Sequence, residues 1–305
     1  MDTTEALAPL ASKHADIDVL KRILGKVSVD EFMHDYFNKK ALHIKGSEDK
    51  FDFLFRTDEF KENLDKADHI RAVFPLLRQA NISIADIPDM LKAGASICVT
   101  GMEQAHPVLR QAALNIKQRV SYSGKVSFRS YLSPAGSGFD MHFDARVATA
   151  IQIGGYKRWW YKLDHTTRYP KSNSPHTAHL EEQGFKPPQK EDMESIVLGP
   201  GDMLCLPAGA WHCAKAEEDS LSLNLAFDYK NAGYIDGLLV YLKEQMNANP
   251  NNRAPAFSLL DIPAIDQSVV NETHESIDAM IELLKKLKTQ PTELENHLKK
   301  WLEVC

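Results

Sequence analysis

The stretch from Val126 to Phe227 constrains the fold of this chain more than any other part, because it consists of short alternating apolar runs separated by glycine and proline. Such runs are typical of an antiparallel sheet that closes into a sandwich or barrel. One run alternates from Val147 to Ile153, Gly154-Gly155 then supplies a tight turn, and a second run covers Tyr156 to Leu163. These two runs predict a β-hairpin inside the β-rich region.

The segments on either side of this region have helical character. The first part alternates predicted helices with short strands: helices at Thr57 to Ala67, Ile87 to Ala93 and Pro107 to Val120, and strands at Ala41 to Lys45 and Ser96 to Thr100. After Asp228 the chain turns helical again, with one apolar stripe formed by Ile277, Met280, Ile281, Leu284 and Leu287. We therefore predict an α/β lead-in (1–125), a β core (126–229) and a C-terminal helical segment (230–305).

Composition narrows the class of protein and its partners. The chain has 305 residues, 43% of them apolar and 26% charged, which suffices for a sizeable core. Its start is acidic and no apolar stretch approaches the length of a membrane span, so we expect a cytoplasmic protein without a membrane partner. The net charge of −6 argues against nucleic acid as a partner. The four cysteines form no CxxC pair and are expected to be reduced thiols.

Candidate metal ligands lie within the β-rich region. His142 and Asp144 are two residues apart, so on an extended strand both side chains project to the same face and can share a cation. A third candidate, His212, ends a block that reads turn, strand and turn from Leu198 onward. Two histidines and one carboxylate on one face of iron leave the other positions open for a bidentate co-substrate and dioxygen.

The His-x-Asp or His-x-Glu spacing alone is weak evidence, because the chain contains two further matches. His14-Ala-Asp16 lies in the N-terminal tail, and His179-Leu-Glu181 lies in a polar insertion from Asp164 to Ser195. We interpret both as surface histidines. The insertion itself has the length and composition of a loop that covers or shapes an active site.

The surroundings of His142 and His212 resemble the JmjC-type oxygenases of the cupin superfamily, especially the subgroup that contains the ribosomal oxygenases. In order, the similar blocks are Tyr131-Leu-Ser-Pro-Ala-Gly-Ser, His142-Phe-Asp144, Gln152-Ile-Gly-Gly-Tyr-Lys-Arg-Trp159 and Pro200-Gly-Asp-Met-Leu-Cys-Leu-Pro-Ala-Gly-Ala-Trp-His212. The resemblance covers about residues 17–230. One departure is the segment between Ser137 and His142, which is one residue shorter than the family pattern and shifts a loop near the metal.

The resemblance implies a mainly β protein with helices, built on a double-stranded β-helix (cupin, jelly-roll) core. It also implies iron(II), 2-oxoglutarate as co-substrate and dioxygen, with His142, Asp144 and His212 as catalytic metal ligands. Lys157 stands at the family's position for binding the far carboxylate of 2-oxoglutarate, Tyr131 matches a tyrosine that helps hold it, and Asn224 falls where a polar residue faces the co-substrate. The alternatives are a solvated strand-edge lysine for Lys157 and a core tyrosine for Tyr131.

Other residues of this region are interpreted as structural or as weaker candidates for the site. Three tryptophans are expected to pack the core or wall the pocket: Trp159, Trp160 and Trp211. Cys205 and Cys213 are interpreted as small apolar fillers. Arg146 and Gln152 are candidates for contacts to the substrate or to other residues of the site.

Three functions remain open from the sequence. The first is a hydroxylase acting on an amino-acid side chain in a protein or peptide, as most of the resembled subgroup does. The second is a hydroxylase of a free amino acid or small natural-product intermediate, and the third is a cupin-type metal-binding module without turnover. The stripe from Ile277 to Leu287 is expected to pack on the barrel or across a homodimer interface.

Overall fold

A computed structural model describes residues 18–62, 64–67, 69–164, 167–175, 179–228, 233–248, 250 and 267–304. The chain divides into two compact units. The first unit comprises Met1–Val120 and Lys125–Asp228, and the second comprises Ser121–Gly124 and Tyr229–Cys305. The three-part division predicted from the sequence stays a prediction.

The first unit contains all the strands of the described residues. In chain order they are β1 Leu42–Ile44, β2 His69–Val73, β3 Gln79–Asn81, β4 Ser96–Thr100, β5 Val126–Ser133, β6 Gly138–His142, β7 Ala148–Gly154, β8 Lys157–Lys162, β9 Glu194–Leu198, β10 Met203–Leu206, β11 Trp211–Ala216 and β12 Ser220–Phe227.

These strands form two antiparallel sheets. The large sheet has the order β1-β10-β7-β12-β5-β4-β2-β3, and the small sheet has the order β6-β11-β8-β9. From β5 onward the chain passes repeatedly between the two sheets, which pack face to face. Their shared core includes Ala150 of β7, Leu204 of β10, Tyr161 of β8 and Leu198 of β9. This architecture confirms the predicted jelly-roll class.

The predicted hairpin between Val147 and Leu163 is wrong, although both of its strands exist. β7 pairs with β10 and β12 in the large sheet, whereas β8 pairs with β11 and β9 in the small sheet. The turn at Gly154-Gly155 therefore carries the chain from one sheet to the other. Alternation of side chains indicates a strand but carries no information about the strand's partner.

Gly155 is required at this corner for two reasons. Its φ of +66° lies in the left-handed region, and a Cβ atom there would lie 2.0 Å from the carbonyl oxygen of Asp219. The close approach sets the corner against the turn that precedes β12. Since β8 begins two residues later, Gly155 also fixes where Lys157 enters the small sheet.

A buried carboxylate holds a second corner, just before β10. Asp202 accepts hydrogen bonds from the backbone N–H of Gly199 and of Gly46, both at 3.1 Å. One contact closes the Gly-Pro-Gly-Asp turn and the other attaches the segment after β1. The Pro-Gly-Asp block of the sequence is thus a structural corner that aligns β10.

The helices flank the strands at both ends of the chain. In order, the described α-helices are α1 Val19–Leu24, α2 Val29–Glu31, α3 Glu59–Glu62, α4 Ile87–Lys92, α5 Met102–Ala105, α6 Pro107–Arg119, α7 Tyr234–Asn247, α8 Gln267–Thr289 and α9 Pro291–Val304. A π-helical turn, Phe32–Tyr36, follows α2.

Most of the helices and strands of the predicted lead-in are confirmed, within two residues at each end. The exception is the helix predicted at Thr57 to Ala67, which is broken into α3 and a 3₁₀ turn at Leu64–Lys66. Phe60 and Leu64 are both buried, so the apolar spacing is correct although the helix is interrupted.

The second unit consists of helices. Leu287 of α8 is buried and packs with Tyr241 and Leu242 of α7, but the other four residues of the predicted stripe are 36–45% exposed: Ile277, Met280, Ile281 and Leu284. Packing of the whole stripe within its own unit is therefore not observed. Across the described residues, no helix combines the length and apolar character that crossing a membrane requires.

Candidate metal and co-substrate site

The three predicted metal ligands come together between the sheets. His142 ends β6 and lies opposite His212 of β11 in the strand register, and Asp144 follows two residues after the end of β6. One potential ligand atom from each residue lies within 4.8 Å of the other two. The two imidazole centroids are 4.2 Å apart, and His212 Nε2 is 3.9 Å from Asp144 Oδ2. This is the spacing that a single metal ion needs.

Backbone contacts fix the orientation of both imidazoles. His142 Nδ1 is 2.7 Å from the carbonyl oxygen of Asp140, and His212 Nδ1 is 2.8 Å from that of Ala210. Each Nδ1 must donate in these contacts, so each Nε2 keeps its lone pair for a ligand. Burial and the neighbouring His142 lower the pKa of His212 to about 4. The neutral imidazole that binds metal is therefore the favoured form at neutral pH.

The two look-alike motifs fall elsewhere. His179 is exposed, and its Nδ1 contacts Glu182 Oε2 at 2.9 Å on the surface. His14-Ala-Asp16 lies outside the described residues. Within the described part of the chain, the group formed by His142, Asp144 and His212 is the one found to suit a metal ion.

The triad opens into a cavity of about 430 Å³. This volume is in the range of small-molecule sites in proteins. The other predicted co-substrate residues line the same cavity: Lys157 from the small sheet, and Tyr131 and Asn224 from the large sheet. The structure thus brings all six predicted site residues to one cavity.

Lys157 is a buried cation that lacks an anionic partner among the described residues. Its side chain is 1% exposed, and its Nζ donates one hydrogen bond, 3.0 Å long, to Ser133 Oγ. The ring of Phe139 lies 5.8 Å from Nζ. Burial lowers the pKa of Lys157 to about 7. A carboxylate placed here would restore the favourable charged form, so this residue fits the far end of a dicarboxylate.

Tyr131 and Asn224 differ in the contacts that they already make within the protein. Tyr131 packs edge-on against Phe139 at 5.1 Å, and burial raises the pKa of its hydroxyl, which therefore stays a proton donor. Asn224 donates to the carbonyl oxygen of Thr149 at 2.8 Å, which leaves its buried Oδ1 without a partner among the described residues. Oδ1 cannot pair with a carboxylate, so Asn224 suits a donor such as water.

The sequence assigned no role to several residues that line the cavity or contact its lining. Ser133 binds Lys157, and Arg71 and Arg129 line the cavity. Arg129, Tyr131 and Ser133 alternate on one strand, so the period-two pattern of β5 was a usable signal for two of them. Arg71 had no such signal because it comes from β2, whose pairing was not predictable.

The remaining candidates divide between the wall and the core. Trp159 stacks on His212 with centroids 5.8 Å apart, and Arg146 lines the cavity. Gln152 instead donates to the carbonyl oxygens of Gly154 and Gly155 at 2.9 and 3.1 Å, so it braces the corner. Trp211 is 1% exposed and packs on Phe143.

The polar insertion is attached directly beside the ligands. Asn173 Oδ1 accepts from the N–H of Ala145 at 2.8 Å, and Ser174 contacts the backbone of Phe143 through both its N–H and its Oγ. Asn173 and Ser174 also line the cavity. This part of the insertion therefore forms one wall of the site, as the loop composition predicted.

Comparisons with known proteins agree with this geometry. A family model described as JmjC domain matches residues 106–235. Among curated relatives, the chain is 24% identical over 286 residues to the uncharacterized protein YxbC of Bacillus subtilis (strain 168), covering 85% of each chain. It is also 26% identical to the bifunctional lysine-specific demethylase and histidyl-hydroxylase NO66 of Drosophila persimilis. That match covers 73% of this chain but only 34% of the fly protein.

Among solved structures, a similar chain is YcfD, a ribosomal oxygenase from Escherichia coli in complex with cobalt and 2-oxoglutarate. The TM-score is 0.54 at 15% sequence identity, over 91% of this chain and 71% of the other. At this identity the likeness is one of fold.

Proposed function

We propose that this chain, whose residues 106–235 match the JmjC-domain family model, is an Fe(II)- and 2-oxoglutarate-dependent oxygenase that hydroxylates an amino-acid side chain in a protein or peptide. In this proposal His142, Asp144 and His212 hold iron(II). Lys157, with Tyr131, binds the far carboxylate of 2-oxoglutarate, and Asn224 faces the co-substrate.

One observation carries the proposal: a metal-binding triad and a buried unpaired ammonium share a single cavity. A lone triad would suit many metal-binding cupins. A buried Lys157 that contacts only a hydroxyl is costly to the fold unless an anion binds it. A dicarboxylate that chelates the metal at one end and meets Lys157 at the other satisfies both halves of the site.

The chemistry supplied by bound iron(II) and 2-oxoglutarate is the activation of dioxygen, with one oxygen atom going to succinate as carbon dioxide leaves and the other to a substrate C–H bond. The residues of the chain prepare the site for it. His142 and His212 are oriented by backbone carbonyls, and Asp144 supplies the negative charge. Trp159 stacks on His212, and Asn173 holds the backbone next to Asp144 through the N–H of Ala145.

The protein or peptide substrate rests on the relatives, since NO66 carries histidyl-hydroxylase activity in its name. We further propose a homodimer through the C-terminal helices. The exposed apolar residues of α8 support it, because four large apolar side chains on one helix face are costly in water.

The proposed activity is tested by incubating the protein with cell extract, iron(II), 2-oxoglutarate and heavy-isotope oxygen. We expect 2-oxoglutarate-dependent label in a peptide, and none with His142→Ala. Label confined to small metabolites would contradict the substrate class. Failure to incorporate label anywhere, with metal and 2-oxoglutarate bound, would favour the binding module without turnover.

A further inference from the structure

Three arginine side chains line the cavity that holds the triad and Lys157. They are Arg71 of β2, Arg129 of β5 and Arg146 of the connection from β6 to β7. All three are half-buried. No ion pair found among the described residues includes any of them. Half-buried guanidinium groups without a carboxylate partner are available for a ligand.

The strand register places two of these arginines on the inner face of the large sheet. Arg71 lies opposite Cys98, and Cys98 lies opposite Tyr131, so the three form one row across β2, β4 and β5. Arg129 is two residues from Tyr131 on the same strand and therefore shares its face. Arg129 lies directly opposite Asn224 of β12, whereas Arg71 lies two strands farther toward the β3 edge of the sheet.

Arg71 is the nearer of these two arginines to the exposed edge of the large sheet. Strand β3 is the edge of the large sheet and all three of its residues are exposed. Gln79 of β3 lines the cavity and accepts a 2.7 Å hydrogen bond from Arg71 Nη1, while Nη2 of Arg71 contacts Cys98 Sγ at 3.4 Å. Arg71 Nε is buried and has no partner among the described residues. These neutral contacts hold the guanidinium in the cavity wall without neutralising it.

The charge balance of the cavity shows that these arginines remain uncompensated in the loaded site. Its lining includes four cationic side chains, of which Lys157 is one, and the single carboxylate of Asp144. The surplus is three positive charges. A divalent metal and the doubly charged 2-oxoglutarate cancel each other, so their binding leaves this surplus unchanged. The whole chain, by contrast, carries a net charge of −6.

We propose that the substrate group that enters this cavity carries a carboxylate, which is bound by Arg71 and Arg129 with Arg146 beside it. The inference rests on the proposed function and specifies its substrate class. Arginine side chains that line one cavity can bind a carboxylate from two directions, and their partial burial strengthens the contact. A lysine or arginine side chain would meet like charge and is excluded. The carboxylate belongs to an aspartate or glutamate residue of a peptide, or to a free amino acid.

The test measures equilibrium binding to the metal- and 2-oxoglutarate-loaded protein under anaerobic conditions. The first arm uses short peptides with blocked termini that differ only at one central residue: glutamate, aspartate, glutamine, asparagine, arginine or histidine. The second arm uses free glutamate and aspartate. We expect the acidic peptide to bind at least about tenfold more tightly than its amide counterpart. Tighter binding of the free amino acids would indicate that the carboxylate belongs to a free amino acid and not to a peptide residue.

Variants identify the residues responsible. Arg71→Gln and Arg129→Gln should each weaken binding of the acidic ligand by about tenfold or more and abolish its advantage over the amide. Arg158→Gln is the matched control, since Arg158 is an arginine of β8 that pairs with Glu217 at 2.8 Å and does not line the cavity. It should bind the acidic ligand like the wild type.

Three results would overturn the inference: equal binding of acidic and amide ligands, tighter binding of the arginine peptide, or no binding of any acidic ligand. Each is distinguishable from failure of the proposed function, because the same preparation is first titrated with metal and 2-oxoglutarate. If the protein binds metal and 2-oxoglutarate but prefers neutral or cationic ligands, the proposed function stands and the inference of a carboxylate substrate is wrong. A protein that does not respond to 2-oxoglutarate loses the function itself.

Discussion

At the scale of single residues, Lys157 reveals most about the site, because its burial is unfavourable to the fold and favourable to a bound anion. Replacement by methionine shortens the unbranched side chain by one atom and removes the charge. We expect Lys157→Met to weaken 2-oxoglutarate binding by at least about tenfold and to raise the free energy of unfolding by about 1 kcal/mol or more at pH 7. Calorimetric titration and denaturant unfolding measure the two effects.

The lowered pKa of Lys157 also predicts a pH dependence. In the free protein the ammonium loses its proton above about pH 7, so binding of a carboxylate at higher pH requires proton uptake. The affinity for 2-oxoglutarate should therefore fall by up to about tenfold per pH unit above 7. In Lys157→Met this dependence should disappear. Equal slopes in both proteins would show that another group titrates.

The same burial predicts how the stability of the free protein changes with pH. Between pH 7 and 10.5 the unfolded chain keeps the Lys157 proton that the folded chain has released. Stability relative to Lys157→Met should therefore rise with pH across this window, with the greatest disadvantage of the wild type below pH 7. Denaturant unfolding at pH 6.5 and pH 9 tests the direction; an unchanged difference would contradict a buried, neutral lysine.

The proposed metal ligands give a matched comparison between one predicted site and one look-alike motif. His142→Ala and Asp144→Ala should each abolish oxygen-dependent formation of succinate, because either change leaves only two ligands. His179→Ala should leave it unchanged, since His179 contacts Glu182 at the surface. The reverse result would indicate that the metal binds at His179 in the polar insertion.

At the scale of elements, the corner at Gly155 joins the two sheets and sets the position of β8. Gly155→Ala should lower the free energy of unfolding by about 2 kcal/mol or more, since it adds a clash with the backbone of Asp219 to the cost of positive φ. Gly184 also has a positive φ, +81°, but a Cβ atom there would meet open space. Gly184→Ala should therefore lower the free energy of unfolding by only about 1 kcal/mol. Equal losses of unfolding free energy in the two variants would contradict a steric requirement for glycine at position 155.

The same corner shows how far the sequence predicts the fold. The alternation from Val147 to Leu163 identifies both strands, but their partners depend on contacts with β10, β11 and β12 that lie far along the chain. Local patterns therefore yielded the strands, whereas His142 and Asp144 were separated from the two look-alike motifs by the resemblance of their surrounding blocks to a known family. Local patterns could not yield Arg71, because its place in the cavity depends on the pairing of β2 with β4.

At the scale of the whole molecule, the helices of the second unit predict self-association. A lysine in the exposed apolar face of α8, Ile281→Lys, should convert the proposed dimer to a monomer in sedimentation experiments while the chain keeps its helical circular dichroism, since Ile281 is 42% exposed within its own chain. Glu275→Lys, an exposed change about half a helical turn away from that face, should leave the dimer intact. A wild-type monomer at micromolar concentration would contradict the homodimer.

The central claim is that one cavity holds both a metal triad and a 2-oxoglutarate site. The most direct measurement is an anaerobic titration of the iron(II)-loaded protein with 2-oxoglutarate, followed by visible absorption. We predict a charge-transfer band of the chelate that saturates in the wild type, weakens with Lys157→Met and is absent with His142→Ala. If the intact protein shows no band, while zinc binds without any response to 2-oxoglutarate, the claim is wrong.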